Sequence, residues 1–474
     1  MTRAQALLCV SCLLSPTAVR AADAPTAASA SPLPALPLPA PVRAMSLGEA
    51  VAFARAHQPA VRAAAARIQA QAAVAQIPRA QWYPTLGATA QIFAGTENNT
   101  TGSYVSPSFM DIPRIGATRA VGTGSWEPEP STFVGVGVRQ ELFDFGRIAA
   151  QTAAADAATD VERQRARSID LDVSFDVEEA YFSVFAAKEI LKASEEAYER
   201  SLAHRDLAKA GVNSGMRSPI ELTRAEAELT NFDIGRIRAQ GGLITAQTVF
   251  AASVGVPDPA LDVSTAPPAP SELPDLNRAL AHAEQNDPRL QSALAELRAG
   301  EQSTRAIRAE MRPNLALTAT LSGRAGSATP SGTGALPAGD GLVPSVPNWD
   351  VGAVLSWPLF DGTNSARADA SRARERVERE NIGLVREEEH AAVREAYSAV
   401  EVARTVLPGL RRAVGAAHAN YAQADARFKA GLGTSVELAD ADALRTEAEI
   451  QLVLGEFALA RARAAFGRTI AEGL

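Results

Sequence analysis

The chain has 474 residues, 46% of them apolar, and 46 basic residues stand against 54 acidic ones for a formal charge of −8. That length fills one large core or two to three ordinary domains, and the acidic balance argues against a nucleic-acid partner. Both cysteines, Cys9 and Cys12, lie near the start, so a chain processed behind them carries neither disulfides nor thiolate metal sites.

The opening MTRAQALLCVSCLLSPTAVRA combines Arg3, an apolar stretch from Ala6 to Leu14 and small residues around Val19-Arg20-Ala21. This pattern predicts a secretory signal peptide over residues 1–21, whose loss takes Arg3 and Arg20 with it and leaves a charge of about −10. Cys9-Val10-Ser11-Cys12 fits a lipoprotein box poorly, so no acyl anchor is expected. Residues 22–44 are rich in alanine and proline, with prolines at 25, 32, 34, 37, 39 and 41, and read as an extended lead-in. No run of 18 or more apolar residues follows, so any membrane-crossing part must be built from strands.

Beyond the lead-in the sequence repeats itself. LGEAVAFARAHQPAV at 47–61 aligns with LNRALAHAEQNDPRL at 276–290, and the same offset of 229 carries Pro59 onto Pro288, Arg79 onto Arg308 and Pro84 onto Pro313. QELFDFG at 140–146 aligns with WPLFDGT at 357–363, and an offset of 216 then brings Glu179-Ala180-Tyr181 onto Glu395-Ala396-Tyr397, Gly215 onto Gly431 and Phe250 onto Phe466. The chain is read as an internal duplication, with a first structural repeat over 45–270 and a second over 271–474.

Each copy reads as leading helices, a strand pair, a very long helix and a return helix. In the first copy the strands are expected near 83–95 and 131–144, the long helix over 147–211 and the return helix over 218–254. In the second copy the strands are expected near 313–323 and 348–361, the long helix over 365–430 and the return helix over 434–470. The strands alternate: Leu315, Leu317, Ala319 and Leu321 oppose Thr318, Thr320 and Ser322, and Trp349, Val351, Ala353 and Leu355 oppose Asp350 and Gly352. Such strands suit either a membrane barrel wall or a soluble hairpin with one wet face. The segments joining them, 96–131 and 325–347, are long and rich in Gly, Ser, Thr and Pro, as outward barrel loops are.

The long helix of the second copy carries apolar or small residues at Val393, Ala396, Val400, Ala403, Leu407, Leu410, Val414, Ala417, Tyr421, Ala424 and Phe428, the 3,4 spacing of a coiled-coil seam. Val177, Ala180, Val184, Ala187, Leu191, Ser194, Tyr198 and Ser201 repeat it. Pro408 falls inside the helix and is expected to interrupt or kink it. Gly211, Gly215, Gly431 and Gly433 mark turns before the return helices, and Thr434-Ser435-Val436-Glu437 and Ser218-Pro219-Ile220-Glu221 read as capping boxes. The boxes account for Glu437 and Glu221, while Asp440 and Asp442 have no such explanation; Asp440 lies one turn beyond Glu437, on a shared face.

A duplicated unit of strand pairs and giant antiparallel helices, with G-x-x-[ST]-x-x-[DE]-L at Gly215 to Leu222 and Gly431 to Leu438, resembles the TolC family of outer-membrane export ducts. The resemblance runs from about residue 45 to 470. It implies an α+β membrane protein: a homotrimer whose protomers each give four strands to one 12-stranded outer-membrane β-barrel, continuous with a long periplasmic α-helical coiled-coil barrel. It also implies a passive duct set in outer-membrane lipid, with a periplasmic adaptor (membrane fusion) protein and an inner-membrane ABC transporter or proton-driven pump as partners. In the family, acids at the positions of Glu437 and Asp440 line a constricted mouth and attract cations, which makes Glu437, Asp440 and the first copy's Glu221 the selectivity candidates. Gly215, Arg217, Ser218, Gly431, Gly433 and Thr434 are the helix-turn and adaptor-docking candidates. Where some members carry a basic gating residue this chain has Gly433, while its first copy has Arg217, so closed-state latching is expected to differ.

No catalytic role, cofactor or metal is expected. The five histidines, His57, His204, His282, His390 and His418, lack ligand spacing, and no phosphate loop, H-E-x-x-H or G-x-S-x-G is present. The alternating charges from Arg372 to Glu389 read as a solvated helix face. Export of protein by a type I, cyclolysin-like system is the preferred cargo reading, beside tripartite efflux of drugs, metals or other small molecules. A trimeric surface adhesin is the remote alternative, and it would place its strands at the C-terminus instead of inside two helical repeats.

Overall fold

The computed structural model describes residues 43–96, 128–256, 261–264, 273–326 and 346–471. The expected signal peptide, the lead-in up to residue 42 and most of both strand-linking segments lie outside the described residues. The first copy runs β1 (Arg43–Met45), α1 (Leu47–His57), α2 (Pro59–Val74), α3 (Gln76–Ala80), β2 (Thr85–Thr96), β3 (Pro128–Phe143), α4 (Arg147–Asn213) and α5 (Pro219–Val254). The second runs β4 (Leu261–Val263), which as the counterpart of β1 sets the start of the second copy before the boundary expected at residue 270, then α6 (Leu276–Asn286), α7 (Pro288–Ala309), β5 (Asn314–Gly326), β6 (Val346–Ser356), α8 (Gly362–Lys429) and α9 (Ser435–Thr469). The order is the same twice, save that Ala75 divides α2 from α3 where α7 is continuous. The short leading strands of the two copies, β1 and β4, pair with each other in parallel.

The sheet order is β2-β3-β5-β6, antiparallel throughout, with β3 and β5 joining the copies. Its faces decide between the two readings of the strands. A soluble hairpin buries its apolar face, whereas here Trp349 is 74% exposed and Leu86, Ile92, Val351 and Leu355 stand out with it, while Thr320 is 5% exposed. Gly135, Gly137 and Thr318 share the sheltered side with Thr320. An apolar outer face over a polar inner one is the pattern of a wall against lipid. β6 ends at Ser356, short of the expected 361, because Pro358 has no N–H to give a ladder.

The repeated Leu-Phe-Asp marks the point where strand becomes helix. Asp361 accepts from the Thr363 and Asn364 amides at 2.8 and 3.2 Å and caps α8. Asp144 does the same for α4, accepting from Gly146 at 3.0 Å and from the Ile148 amide. Each aspartate satisfies amides that the first helical turn leaves without partners. The preceding Leu142-Phe143 and Leu359-Phe360 stay exposed.

The long helices have 67 and 68 residues, about 100 Å each at 1.5 Å per residue. Among the described residues no helix is long and apolar enough to cross a membrane. α4 packs along α5 and α8 along α9, with α7 and α9 also lying against α4. Val393, Val400, Leu407, Ala417 and Phe428 of the seam are buried and none of its other members is exposed, and Val177, Ala180, Val184, Leu191, Ser194 and Ser201 are buried in the first copy. Pro408 does not interrupt α8. The carbonyl of Arg404 loses its helical donor there, but both residues are exposed, so water can replace it.

The largest apolar core lies where β1, β4 and α1 pack on α4 and α5, around Met45, Val51, Val177, Tyr181, Phe250 and Val254. A smaller copy joins α6, α8 and α9 through Ala279, Ala283, Val393, Val400 and Phe466. Both hold the helix pairs together midway between the sheet and the hairpin tips.

Candidate functional site at the hairpin tips

Both long helices end far from the sheet in a glycine turn. Gly215 and Gly431 take φ of 73° and 74°, the left-handed region that glycine enters without steric cost. In the first turn Met216 and Arg217 amides both donate to Gly211 O, at 3.0 and 3.1 Å; in the second, Leu432 and Gly433 donate to Arg427 O at 2.9 and 3.0 Å. The two tips are thus built alike.

Neither expected capping box forms in full. Thr434 Oγ1 accepts from the Glu437 amide at 3.2 Å, but the Glu437 carboxylate lies toward Arg427, 3.7 Å away. Ser218 makes no side-chain cap at all, and Glu221 instead accepts from Arg217 Nη1 at 2.8 Å. In each case a nearby guanidinium outcompetes the neutral backbone amide for the carboxylate. The full box is at Ser46, whose Oγ accepts from the Glu49 amide while Glu49 accepts from the Ser46 amide at 2.9 Å.

Arg217 ties the two tips together. Its Nη2 donates to Phe428 O at 2.8 Å, a last-turn carbonyl of α8 that also accepts from the Gly431 amide at 3.1 Å, and its guanidinium lies 3.7 Å from the centre of the buried Phe428 ring. A side chain at Gly211 would meet Arg217 Cδ at 2.6 Å, so this glycine clears the path. Gly433 is close against the Phe428 backbone, with only 3.1 Å to its amide nitrogen from an added Cβ.

Glu437 and Asp440 are both exposed on α9, whereas Asp442 is fully buried. Asp442 accepts from Arg200 Nε of α4 at 2.8 Å, and Arg200 Nη2 donates to Thr446 at 3.1 Å. Beside them Tyr421 of α8 hydrogen-bonds His204 of α4 at 3.0 Å. Glu228 of α5 has one carboxylate oxygen sheltered and without a partner, as has Asp442. Burial, then the charges of Asp442 and Asp440, push Glu228 up to about 7. Burial also raises Asp442 against the pull of Arg200, lowers His204, and lifts Tyr421 to about 12. Arg200, His204 and Glu228 carry no motif, and Arg200 lies 242 positions from Asp442, so only the packing of the two copies brings them together. Among the described residues no group of three or more His, Cys, Asp or Glu is arranged to hold a metal ion.

A model of the outer membrane efflux protein family matches residues 51–256 and 279–470, one segment in each copy. Protein CyaE of Bordetella pertussis is 27% identical over 273 residues, 57% of this chain and 52% of that protein, so the match spans about half the relative's length. Outer membrane efflux protein BepC of Brucella suis is 24% identical over 328 residues, 68% of either chain. Among solved structures, the CmeC outer membrane channel of Campylobacter jejuni superposes with a TM-score of 0.70 at 16% identity, over 90% of this chain and 86% of that one. The outer-membrane channel OprN gives 0.67 at 21% identity over 90% of both. At such identities the structures speak for the fold. The chain belongs to the outer membrane efflux protein family, which consists of transport channels rather than enzymes and places it in the outer membrane with its helices reaching into the periplasm.

Proposed function

We propose that three copies of this chain form a passive duct through which an inner-membrane pump, coupled by a periplasmic adaptor, exports its cargo. The observation that carries the proposal is an outward-apolar sheet of four strands, open at both edges, continuous with helical hairpins about 100 Å long. Four strands cannot close a barrel, and open edges are not tolerated in lipid. Because β6 runs antiparallel to β2, the β6 edge of one copy can pair with the β2 edge of the next, and three copies close the ring with antiparallel neighbours throughout.

In such a trimer the exposed Glu437 and Asp440 of α9 stand around the axis at the narrow periplasmic mouth. Converging carboxylates raise the local cation concentration and lower that of anions, which makes the mouth cation-selective without any energy input. The adaptor meets the tips at Gly215, Arg217, Ser218, Gly431, Gly433 and Thr434, where exposed Met216 and Leu432 add apolar surface.

For cargo, the proposal favours type I protein secretion with an ABC transporter, supported by the likeness to CyaE. Small-molecule efflux is the second reading, supported by the likeness to BepC, whose name is that of an efflux protein. A deletion strain scored both for proteins missing from the culture supernatant and for drug and metal sensitivity separates them. Loss of a secreted protein with unchanged sensitivities supports secretion, and the opposite result supports efflux. Purified protein that forms no conducting trimer in a planar bilayer defeats the duct itself.

A further inference from the structure

In its half nearer the sheet, α8 has two seams and fills one. Ala368, Ser371, Ile382 and Glu389 are buried at the 3,4 spacing of a seam, and α7 lies against it, with Thr304 Oγ1 donating to Ser371 Oγ at 2.7 Å. Two residues on, about 200° around the helix, Ala370, Ala373, Val377, Glu380 and Leu384 repeat the spacing. All but the half-buried Ala373 are exposed, Val377 to 57% and Leu384 to 55%. α2 is alike: it packs along α4 and buries Ala64, while Ala63, Ala66, Ala70, Ala73 and, beyond its end, Ile77 form an exposed seam.

The duplication supplies the occupant. α8 is the copy of α4 at an offset of 216, and α7 the copy of α2 at 229. Burial follows both offsets: Ile148, Val173 and Val177 are buried as Asn364, Glu389 and Val393 are, and Ala64 and Ala75 as Ala293 and Thr304 are. In the first copy α4 is packed by α2 and also by α7 of the second copy, and Val161, the counterpart of Val377, is buried. α7 in turn buries Ala295 and Ala306, the counterparts of Ala66 and Ile77. The equivalent of this α4–α7 contact is α8 of one chain against α2 of the next. It continues the β6-to-β2 edge pairing, because α8 follows β6 and α2 leads through α3 into β2.

Charge agrees with that register. Inside the chain, Arg165 of α4 donates to Glu296 of α7 at 2.7 Å. The two offsets carry Arg165 onto Asn381 and Glu296 onto Arg67, which sets Glu380 beside Arg67 and, two turns along, Glu387 beside Arg62. All four are exposed, and none has an ion pair among the described residues. We propose that Glu380 and Glu387 of α8 dock on Arg67 and Arg62 of α2 in a second copy of this chain, and that the reversal of sign relative to Arg165–Glu296 selects this partner. Against α7 of a neighbour, α8 would set Glu380 beside Glu296; against α2 of a neighbour, α4 would set Arg165 beside Arg67. Chains are thereby joined second copy to first, the head-to-tail contact that closes a ring. The proposal rests on the duct reading above.

The test uses the full chain in outer membranes. The only cysteines of the sequence are Cys9 and Cys12, so Ala70→Cys combined with Val377→Cys reports the contact, with each single variant as control. Mild oxidation of the combined variant is expected to give covalent dimers and trimers on a non-reducing gel, and of the single variants to give none. Arg67→Glu and Glu380→Arg should each lower the heat-resistant trimer about tenfold or more by setting like charges together, and the two combined should restore it. Trimer without the cross-link, or a combined reversal no better than the single ones, overturns this seam and leaves the duct standing. Single reversals that keep the wild-type amount of trimer overturn the selection by charge. A wild type that forms no trimer overturns both the seam and the duct.

Discussion

Asp440 and Asp442 are two residues apart on one helix and face different fates. A separation of two turns a side chain through about 200° on a 3.6-residue helix, so one carboxylate reaches solvent while the other enters the α4–α9 contact. Asp440→Asn should therefore lower the cation-to-anion permeability ratio, read as a reduced reversal potential in a salt gradient, without loss of the trimer. A ratio equal to wild type would reduce Asp440 to helix surface. Glu389 of α8 gives a second test at this scale. It is 1% exposed, neither of its oxygens has a partner, and burial followed by the charge of Asp287 pushes it up to about 7. Since its folded value is raised, its contribution is fully present below about 4.5 and is lost as the pH rises through 7. Glu389→Gln should raise the melting temperature at pH 8 and change it little at pH 4.5. The gain is on the order of 2 kcal/mol, and equal melting at both pH values would refute it.

At the scale of elements, the Leu-Phe-Asp repeat is more than a marker of duplication. Its aspartate caps a helix of nearly seventy residues immediately after a strand, so the change from lipid-facing wall to helix is fixed within a few residues. Asp361→Ala should cost about 1 kcal/mol and fray the first turn of α8. Faster hydrogen exchange confined to the amides of Thr363 and Asn364 would show it, and unchanged protection there would count against the cap. The turn at Glu437 illustrates the opposite case. The S/T-x-x-E pattern stands at three helix starts, at Ser46, Ser218 and Thr434, yet of these it closes in both directions only at Ser46. Arg217 and Arg427 decide the difference, and the pattern says nothing about a cation outside it.

For the whole molecule, the decisive feature is an inverted sheet. Threonines are sheltered and tryptophan is exposed, which is unfavourable in water and favourable in lipid. Val351→Arg places a charge on that outer face and should cost about 2–4 kcal/mol per copy if the site lies near the bilayer midplane. Loss of protein from the outer-membrane fraction, with the periplasmic level unchanged or raised, is the expected outcome. Normal insertion would mean that this face does not meet lipid.

Much of the architecture was legible in the sequence because it rests on periodicity. The alternation of Leu315 to Leu321, the 3,4 seam from Val393 to Phe428 and the constant offset between the copies are linear properties, and the burial of the seam follows them residue by residue. What the tertiary structure alone decided is which charges meet. Arg217 reaches Phe428 across 211 positions and Arg200 reaches Asp442 across 242, because folding one copy against the other brings their tips side by side. A spacing rule records where a side chain points along its own helix. Its partner, and hence whether its carboxylate is a surface charge, a cap or half of a buried ion pair, depends on the helix packed against it.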